Sequence, residues 1–346
     1  MAADTALNAA GEVARALVGG SIDAIERIRG VGRNSGVYRV SSGPATFALK
    51  QYPPRRAGDR DRALVEFNAL RFLASHENAV VPRAIAADPA AGFLLLEWID
   101  GAPVDAPGAT DIDSACRFLR SIHALRDADG ANAQPPAAEA CLCGREIATQ
   151  IERRVARLAT LRSDEPSLGD FLDTRFLPLA KTIVAWARQG YAAAGLSFEG
   201  DVAEAARTLC PADFGFHNAL RRRDRALVFI DFDYFGWDDP VKLTADFLLH
   251  PGMRLGDDLK RRFAAEAVNI YGADPGFHHR LALLYPLFAL RWCAILLNEF
   301  LPERWVNRLN AGEEADWTAA KARQLERAQQ WLDGVSAGYK RFPYGD

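Results

Sequence analysis

The chain has 346 residues, too many for one small core, so about two domains or lobes are expected. Apolar residues make up 49% and charged residues 25%, a globular mix rather than a disordered one. The formal net charge of −3 argues against general nucleic-acid binding, which would call for a basic excess facing phosphates.

The first twenty residues lack a basic stretch followed by an apolar one, so no signal peptide is expected. "VYRV" and "TFALKQY" read as short strands flanked by the Gly/Ser segments "GVGRNSG" and "SSGPA". A helix follows in "DRALVEFNALRFLAS", where Ala63, Leu70 and Leu73 form one apolar stripe with Glu66 among them. "GFLLLEWIDG" reads as a further strand running into a loop at Gly101. From there the character changes. "DIDSACRFLRSIHALRDA" is helical from an Asp cap, and residues 144–206 read as two or three helices after the loop "ANAQPPAAEAC". Residues 210–235, "CPADFGFHNALRRRDRALVFIDFDYF", interrupt the helices with a hairpin-like unit, and 241–338 is helical again.

No run of about 18 apolar residues is read, so no membrane span is expected. Five cysteines (Cys116, Cys141, Cys143, Cys210, Cys293) are few and odd in number. They indicate no disulfide framework and suit a reducing cytoplasm. Cys141 and Cys143 have no matching pair at zinc-site spacing. The basic run "RRRDR" at 221–225 reads as a solvated turn. The fold class is therefore α+β with two lobes: a small antiparallel-sheet lobe with one helix over 1–98, and a larger, mostly helical lobe over 99–346. A hinge falls near 97–102, and such a junction favours a ligand cleft.

The residues of the hairpin unit suit phosphoryl transfer, which needs positioning and charge neutralisation more than covalent chemistry. Magnesium takes oxygen ligands and keeps several waters, so an amide and a carboxylate suffice. Asn218 and Asp231 can supply them from two arms of a hairpin. Asp213, five residues before Asn218, can lie across the same loop and take a proton from an acceptor hydroxyl. In the small lobe, the Gly-rich turn Gly30-x-Gly32-x-x-x-Gly36, with Asn34 and Ser35, could face phosphates with its amides. Lys50 follows on a strand. Glu66 sits at the edge of an apolar stripe, where an unpaired carboxylate would be costly. A Lys50–Glu66 ion pair would remove that cost and aim the ammonium at the phosphates. The backbone of Glu97, Trp98 and Ile99 could hydrogen-bond an adenine edge. Each feature alone has a plain structural reading; their order along the chain carries the weight.

With these residues in view, the chain resembles the aminoglycoside phosphotransferase and choline/ethanolamine kinase superfamily, best in "LLLEWIDG", "FLRSIHAL", "DFGFHN" and "FIDFDYFGWDDP". The resemblance spans roughly residues 25–250 and implies a protein-kinase-like fold. It implies ATP and Mg²⁺ as cofactors, with Asp213 as base and Asn218 and Asp231 as metal ligands. Lys50 would bind the α/β-phosphates with Glu66 as its partner. Three departures stand out. Pro211 occupies the place of a family His, His217 that of a Gly, and Leu243 that of an Asp, with Asp246 coming late.

Pro240 stands nine positions after Asp231, too short a stretch for the long activation segment of a protein kinase. The partners implied are thus a nucleotide and a small hydroxyl-bearing metabolite such as a sugar, an amino alcohol or an aminoglycoside. A cationic acceptor could be cradled by Asp233, Trp237, Trp292 and Glu299, the last two being seven apart on one helical face. A catalytically weak nucleotide-binding or regulatory module stays open as an alternative, and a protein kinase as a weaker one.

Overall fold

The structure is a computed structural model that describes residues 2–28, 35–55, 58–77, 80–305 and 316–345. After helix α1 (Ala2–Val18) come β1 (Ala24–Ile28), β2 (Gly36–Ser42), β3 (Ala45–Gln51), helix α2 (Arg62–Ser75), β4 (Ala84–Asp88) and β5 (Phe93–Glu97). The five strands form one antiparallel sheet in the order β1-β2-β3-β5-β4.

Side chains alternate faces along a strand, and β5 shows what that sorting does. Phe93 and Leu95 join Tyr38, Val40 and Leu49 under Ala10 and Ala14 of α1. Leu94 and Leu96 pack on the other face with Ala63, Leu70 and Leu73 of α2. Lys50 pairs in register with Leu94, so its side chain belongs to the α2 face. α2 starts where Asp61 accepts a hydrogen bond from the Leu64 amide at 3.0 Å, and Glu66 is buried on it. The expected single-helix lobe is corrected here: α1 makes a second helical layer. Its alternation of alanines with polar residues is an amphipathic pattern of modest apolar content, easily read as an irregular terminus.

The larger part begins with β6 (Gly101–Pro103), α3 (Ala109–Ala124), α4 (Gly144–Ala159) and α5 (Pro166–Asp170). α5 continues through a wider turn at 171–176 into α6 (Leu177–Ala193). Then come β7 (Thr208–Cys210), β8 (Ala219–Arg222), β9 (Leu227–Phe229), β10 (Gly236–Asp238), α7 (Pro240–Leu249), α8 (Asp257–Tyr271), α9 (Phe277–Leu296) and a last helix, Trp317–Gly338. Two small sheets interrupt the helices: β6-β8-β9 and β10-β7, both antiparallel. The basic run is the β8–β9 turn. Its arginines are more than solvated: Arg221 forms a two-pronged bond with Asp111 at 2.8 and 3.0 Å, and Arg222 lies 3.7 Å from Glu97.

Contrary to the expectation of no such run, Phe277–Phe300 is long and apolar enough to cross a membrane by length and composition alone, with a mean hydropathy of 1.7. Its apolarity has a packing cause: α9 touches α4, α6, α7 and the last helix, and two-thirds of its most apolar window is buried. α7 is pinned to α9 by buried ions. Asp239 caps α7 through the Val241 amide at 3.0 Å and takes both nitrogens of Arg280 at 2.8 and 3.0 Å. Asp246 accepts from Arg291 and from the Trp292 indole N–H, the latter at 2.9 Å. Lys242 lies between Asp238 and Asp246 at 3.3 and 3.8 Å. All five cysteines are buried and unpaired.

Candidate active site

The loop from Cys210 to Ala219 is held by its phenylalanines. Phe214 stacks on Phe118 and Phe247, at 5.7 and 5.8 Å between ring centroids, and Phe216 meets Phe247 edge-on at 5.7 Å. With those rings inward, Asp213, His217 and Asn218 are presented on the outer side of the loop. The Asn218 side-chain amide donates to the Asp213 carbonyl at 2.9 Å. This closes the five-residue span and leaves the Asn218 side-chain oxygen free to serve a cation. The Asn218 carbonyl accepts from the Ile230 amide at 2.9 Å, so Asn218 and Asp231 end opposite arms of the β8–β9 hairpin side by side.

Asp231 has φ of +69°, a left-handed conformation that Asp tolerates better than most residues. Strain of this kind, worth about 1–3 kcal/mol, persists where surrounding contacts impose it and is frequent at functional sites. The imposing contacts are visible. Lys50 Nζ bonds Asp231 Oδ1 and Glu66 Oε2, the latter at 2.6 Å. Glu66 also accepts from the Tyr52 hydroxyl and, through Oε1, from the Phe232 amide at 3.1 Å. One buried carboxylate thus ties the small-lobe sheet and α2 to the segment carrying Asp231. Burial alone would pull the Lys50 ammonium down; Glu66 and then Tyr52 and Asp231 outweigh it and hold its pKa well above the ordinary value.

Asp213 stays open to solvent, its side chain 45% exposed. Partial desolvation pushes its pKa up, but the hydrogen bond from His217 and the nearby positive charges win, so the carboxyl lies below the usual range. It is an ionised acceptor at neutral pH. Glu97 closes β5 by donating its amide to the Arg83 carbonyl at 2.9 Å. Trp98 carries the Arg39 guanidinium 5.2 Å from its ring centroid, and Ile99 is buried. Ser35 directly precedes β2. Gly30, Gly32 and Asn34 lie outside the described residues.

The expected acceptor group does not assemble. Asp233 is buried and bonded by Arg62 Nε at 2.6 Å, and so is engaged toward α2. Burial first, and then the charge of Asp231, push its carboxyl upward. Trp237 pairs with Leu209 in the β10–β7 ladder, and its indole N–H donates to the Ala131 carbonyl at 3.0 Å. Glu299 lies beyond the end of α9 at Leu296, in the tighter turn Leu297–Phe300, so the α-helical spacing read for Trp292 and Glu299 does not extend to it. Trp292 approaches the 210–219 loop through His250, with its ring edge-on to His250 at 4.8 Å and 83°.

Sequence reasoning missed Tyr52, Arg62 and His250. The first two left a signal. Tyr52 is two residues beyond Lys50 on the same strand side, and Arg62 is four before Glu66 on one helix face. His250 left none, since only the packing of α7 brings it to His217.

An ammonium held between a helix carboxylate and a hairpin carboxylate, at a junction of a five-stranded sheet with a helical body, is an arrangement that fits a kinase-like phosphotransferase. Comparison with known proteins agrees. The chain belongs to the phosphotransferase enzyme family, whose model matches residues 24–284. Among solved structures, the fold is similar to that of the choline kinase LicA from Streptococcus pneumoniae, at 16% identity and a TM-score of 0.58, covering 93% of this chain and 97% of that one. It is similar to the gentamicin complex of APH(2")-IIa, at 14% identity and a TM-score of 0.59, covering 96% and 97%. It is also similar to the spectinomycin phosphotransferase APH(9)-Ia bound to ADP and spectinomycin, at 12% identity and a TM-score of 0.58, covering 94% and 95%. A search of curated protein sequences finds no significant match.

Proposed function

We propose that the protein transfers the γ-phosphoryl group of ATP to a hydroxyl of a small metabolite, with Mg²⁺ as the metal. The observation that carries this reading is the convergence on Lys50 Nζ of Glu66 and Asp231, with Asn218 beside Asp231 and Asp213 across the same loop. The donors suit a hard cation: one carboxylate and one amide oxygen, with room for waters. Asn218 and Asp231 would hold the ion, which when bound supplies charge neutralisation at the phosphates. Lys50, kept charged by its neighbours, would bind the α/β-phosphates, and Glu66 would orient it. The backbone of Glu97, Trp98 and Ile99 would take the adenine edge.

Asp213 would orient the acceptor hydroxyl for in-line attack and receive its proton. Its open carboxylate has the accessibility that role demands. A small acceptor is favoured because the stretch between Asp231 and Pro240 is short and partly committed to the β10–β7 pairing, which leaves little of it to shape a peptide site. The test is ATP consumption over pooled sugars, amino alcohols and aminoglycosides. Turnover with at least one pool is expected, and Asp213→Asn should lose at least about 10²-fold in kcat. No turnover with any pool, or full turnover in the variant, would refute the reading.

A further inference from the structure

We propose that His217 is the positioning residue of Asp213, doing from within the loop what Pro211 cannot do from before it. This rests on Asp213 being the base, as argued above. His217 Nε2 lies 3.0 Å from Asp213 Oδ1. An ionised carboxylate only accepts, so Nε2 carries the proton and donates. Pro211 stands two residues before the base and offers no side-chain donor.

The imidazole is itself held. It stacks on His250 with centroids 3.9 Å apart and planes 3° from parallel. His250 is oriented by the Gly252 amide, which donates to its Nδ1 at 3.2 Å, and by the edge of Trp292. Trp292 is in turn bonded to Asp246, which is paired with the buried Arg291. A line of fixed side chains thus runs from the α7–α9 core to the base. Gly215 belongs to this device: a Cβ there would lie 2.8 Å from the His217 ring and 2.5 Å from Met253 Sδ.

The ligand atoms of Asp213, His217 and His250 lie within 4.8 Å of one another, which raises a metal site as the rival. The stack excludes an ion shared by the two imidazoles. Lone pairs of imidazole lie in the ring plane, so an ion about 2.0–2.1 Å from one nitrogen would lie roughly a ring thickness out of the plane of the other. His250 Nδ1 is also already used by the Gly252 amide.

Two substitutions separate the hydrogen bond from the packing. His217→Phe keeps a ring on His250 and removes the donor; His217→Gln keeps an N–H near the Nε2 position and removes the ring. A misplacement of about 1 Å can cost about 10²-fold in rate, so His217→Phe is expected to lose about 10- to 100-fold in kcat with the KM for ATP unchanged. His217→Gln should stay within about threefold of the parent. Equal kcat in His217→Phe, or an equal loss in both variants, would overturn the proposal. A second readout needs no turnover: nitrogen-15 spectra of histidine-labelled protein should show the His217 Nε2 protonated. An unprotonated Nε2 would overturn the assignment. If the wild type transfers phosphate to nothing, the phosphotransfer reading fails, and this spectrum alone decides whether His217 holds Asp213.

Discussion

Removing the Glu66 carboxylate is the most informative single perturbation. Its side chain is 1% exposed and that of Lys50 8%, so the pair is fully inside the protein. In Glu66→Ala, Lys50 keeps only Asp231, whose side chain is 32% exposed, and the Tyr52 hydroxyl and Phe232 amide lose their acceptor. Breaking a buried pair by deleting one partner costs about 3–5 kcal/mol. Orphaning each neutral donor adds up to about 1–3 kcal/mol where water cannot reach it. These terms overlap, and about 4 kcal/mol is the expected loss. Glu66→Gln keeps one acceptor oxygen, which can still serve Lys50 and Tyr52 where Oε2 stands, but turns its NH2 toward the Phe232 amide that Oε1 serves; an unpaired buried donor costs about 1–3 kcal/mol, and about 2 kcal/mol is expected. Urea unfolding followed by tryptophan fluorescence measures both. A loss under about 1 kcal/mol in Glu66→Ala would refute the reasoning, because Lys50 would then be satisfied by solvent or by Asp231 alone. Equal losses in the two variants would refute the role given to the retained oxygen.

Asp231→Asn should abolish the Mg²⁺-dependent part of nucleotide binding in titration calorimetry while leaving the fold intact, since one acidic oxygen donor is removed from a two-residue set. Arg62→Ala strips Asp233 of its hydrogen-bonded cation and leaves it the more distant charge of Lys50, and a destabilisation of about 3 kcal/mol is expected near neutral pH. Because Asp233 is already raised by burial and by Asp231, the folded variant binds a proton more readily than the unfolded chain. Its deficit should therefore shrink on acidification toward the unfolded carboxylate range; a deficit independent of pH in urea titrations would contradict this. His123 is lowered by burial and then by the Arg126 charge, and its ring nitrogens meet Thr208 and Arg126 at 3.1 and 2.9 Å. The unfolded chain takes up the proton first, so stability should fall as pH drops below about 6.5 and level off below the folded value. The stability difference between the wild type and His123→Gln, followed against pH, should show that slope; a flat difference would remove His123 as its source.

Local pattern was enough to identify much of this protein. The two-residue period of β3 and β5 and the stripe of α2 place Lys50 and Glu66 on facing surfaces, because strand and helix periodicities dictate which side chains look inward. The spacing of Asp213 and Asn218, with Asp231 after an apolar strand, follows from a short hairpin whose arms must end together. The amphipathic α1 was beyond such reading, since its burial depends on a sheet face assembled from strands further along.

Tertiary structure decided what charges do once buried. Asp233, read as facing an acceptor, is turned to Arg62 because a carboxylate inside the protein needs a cation and α2 supplies the nearest. Trp292 and Glu299 share a helical spacing that α9 does not sustain past Leu296. His250 is 33 residues from His217 in the chain yet stacked on it in space. Periodicity reports the direction a side chain takes from its own backbone. Which partner waits there is set by how distant elements pack, and the desolvation cost of an unpaired ion makes that choice strict.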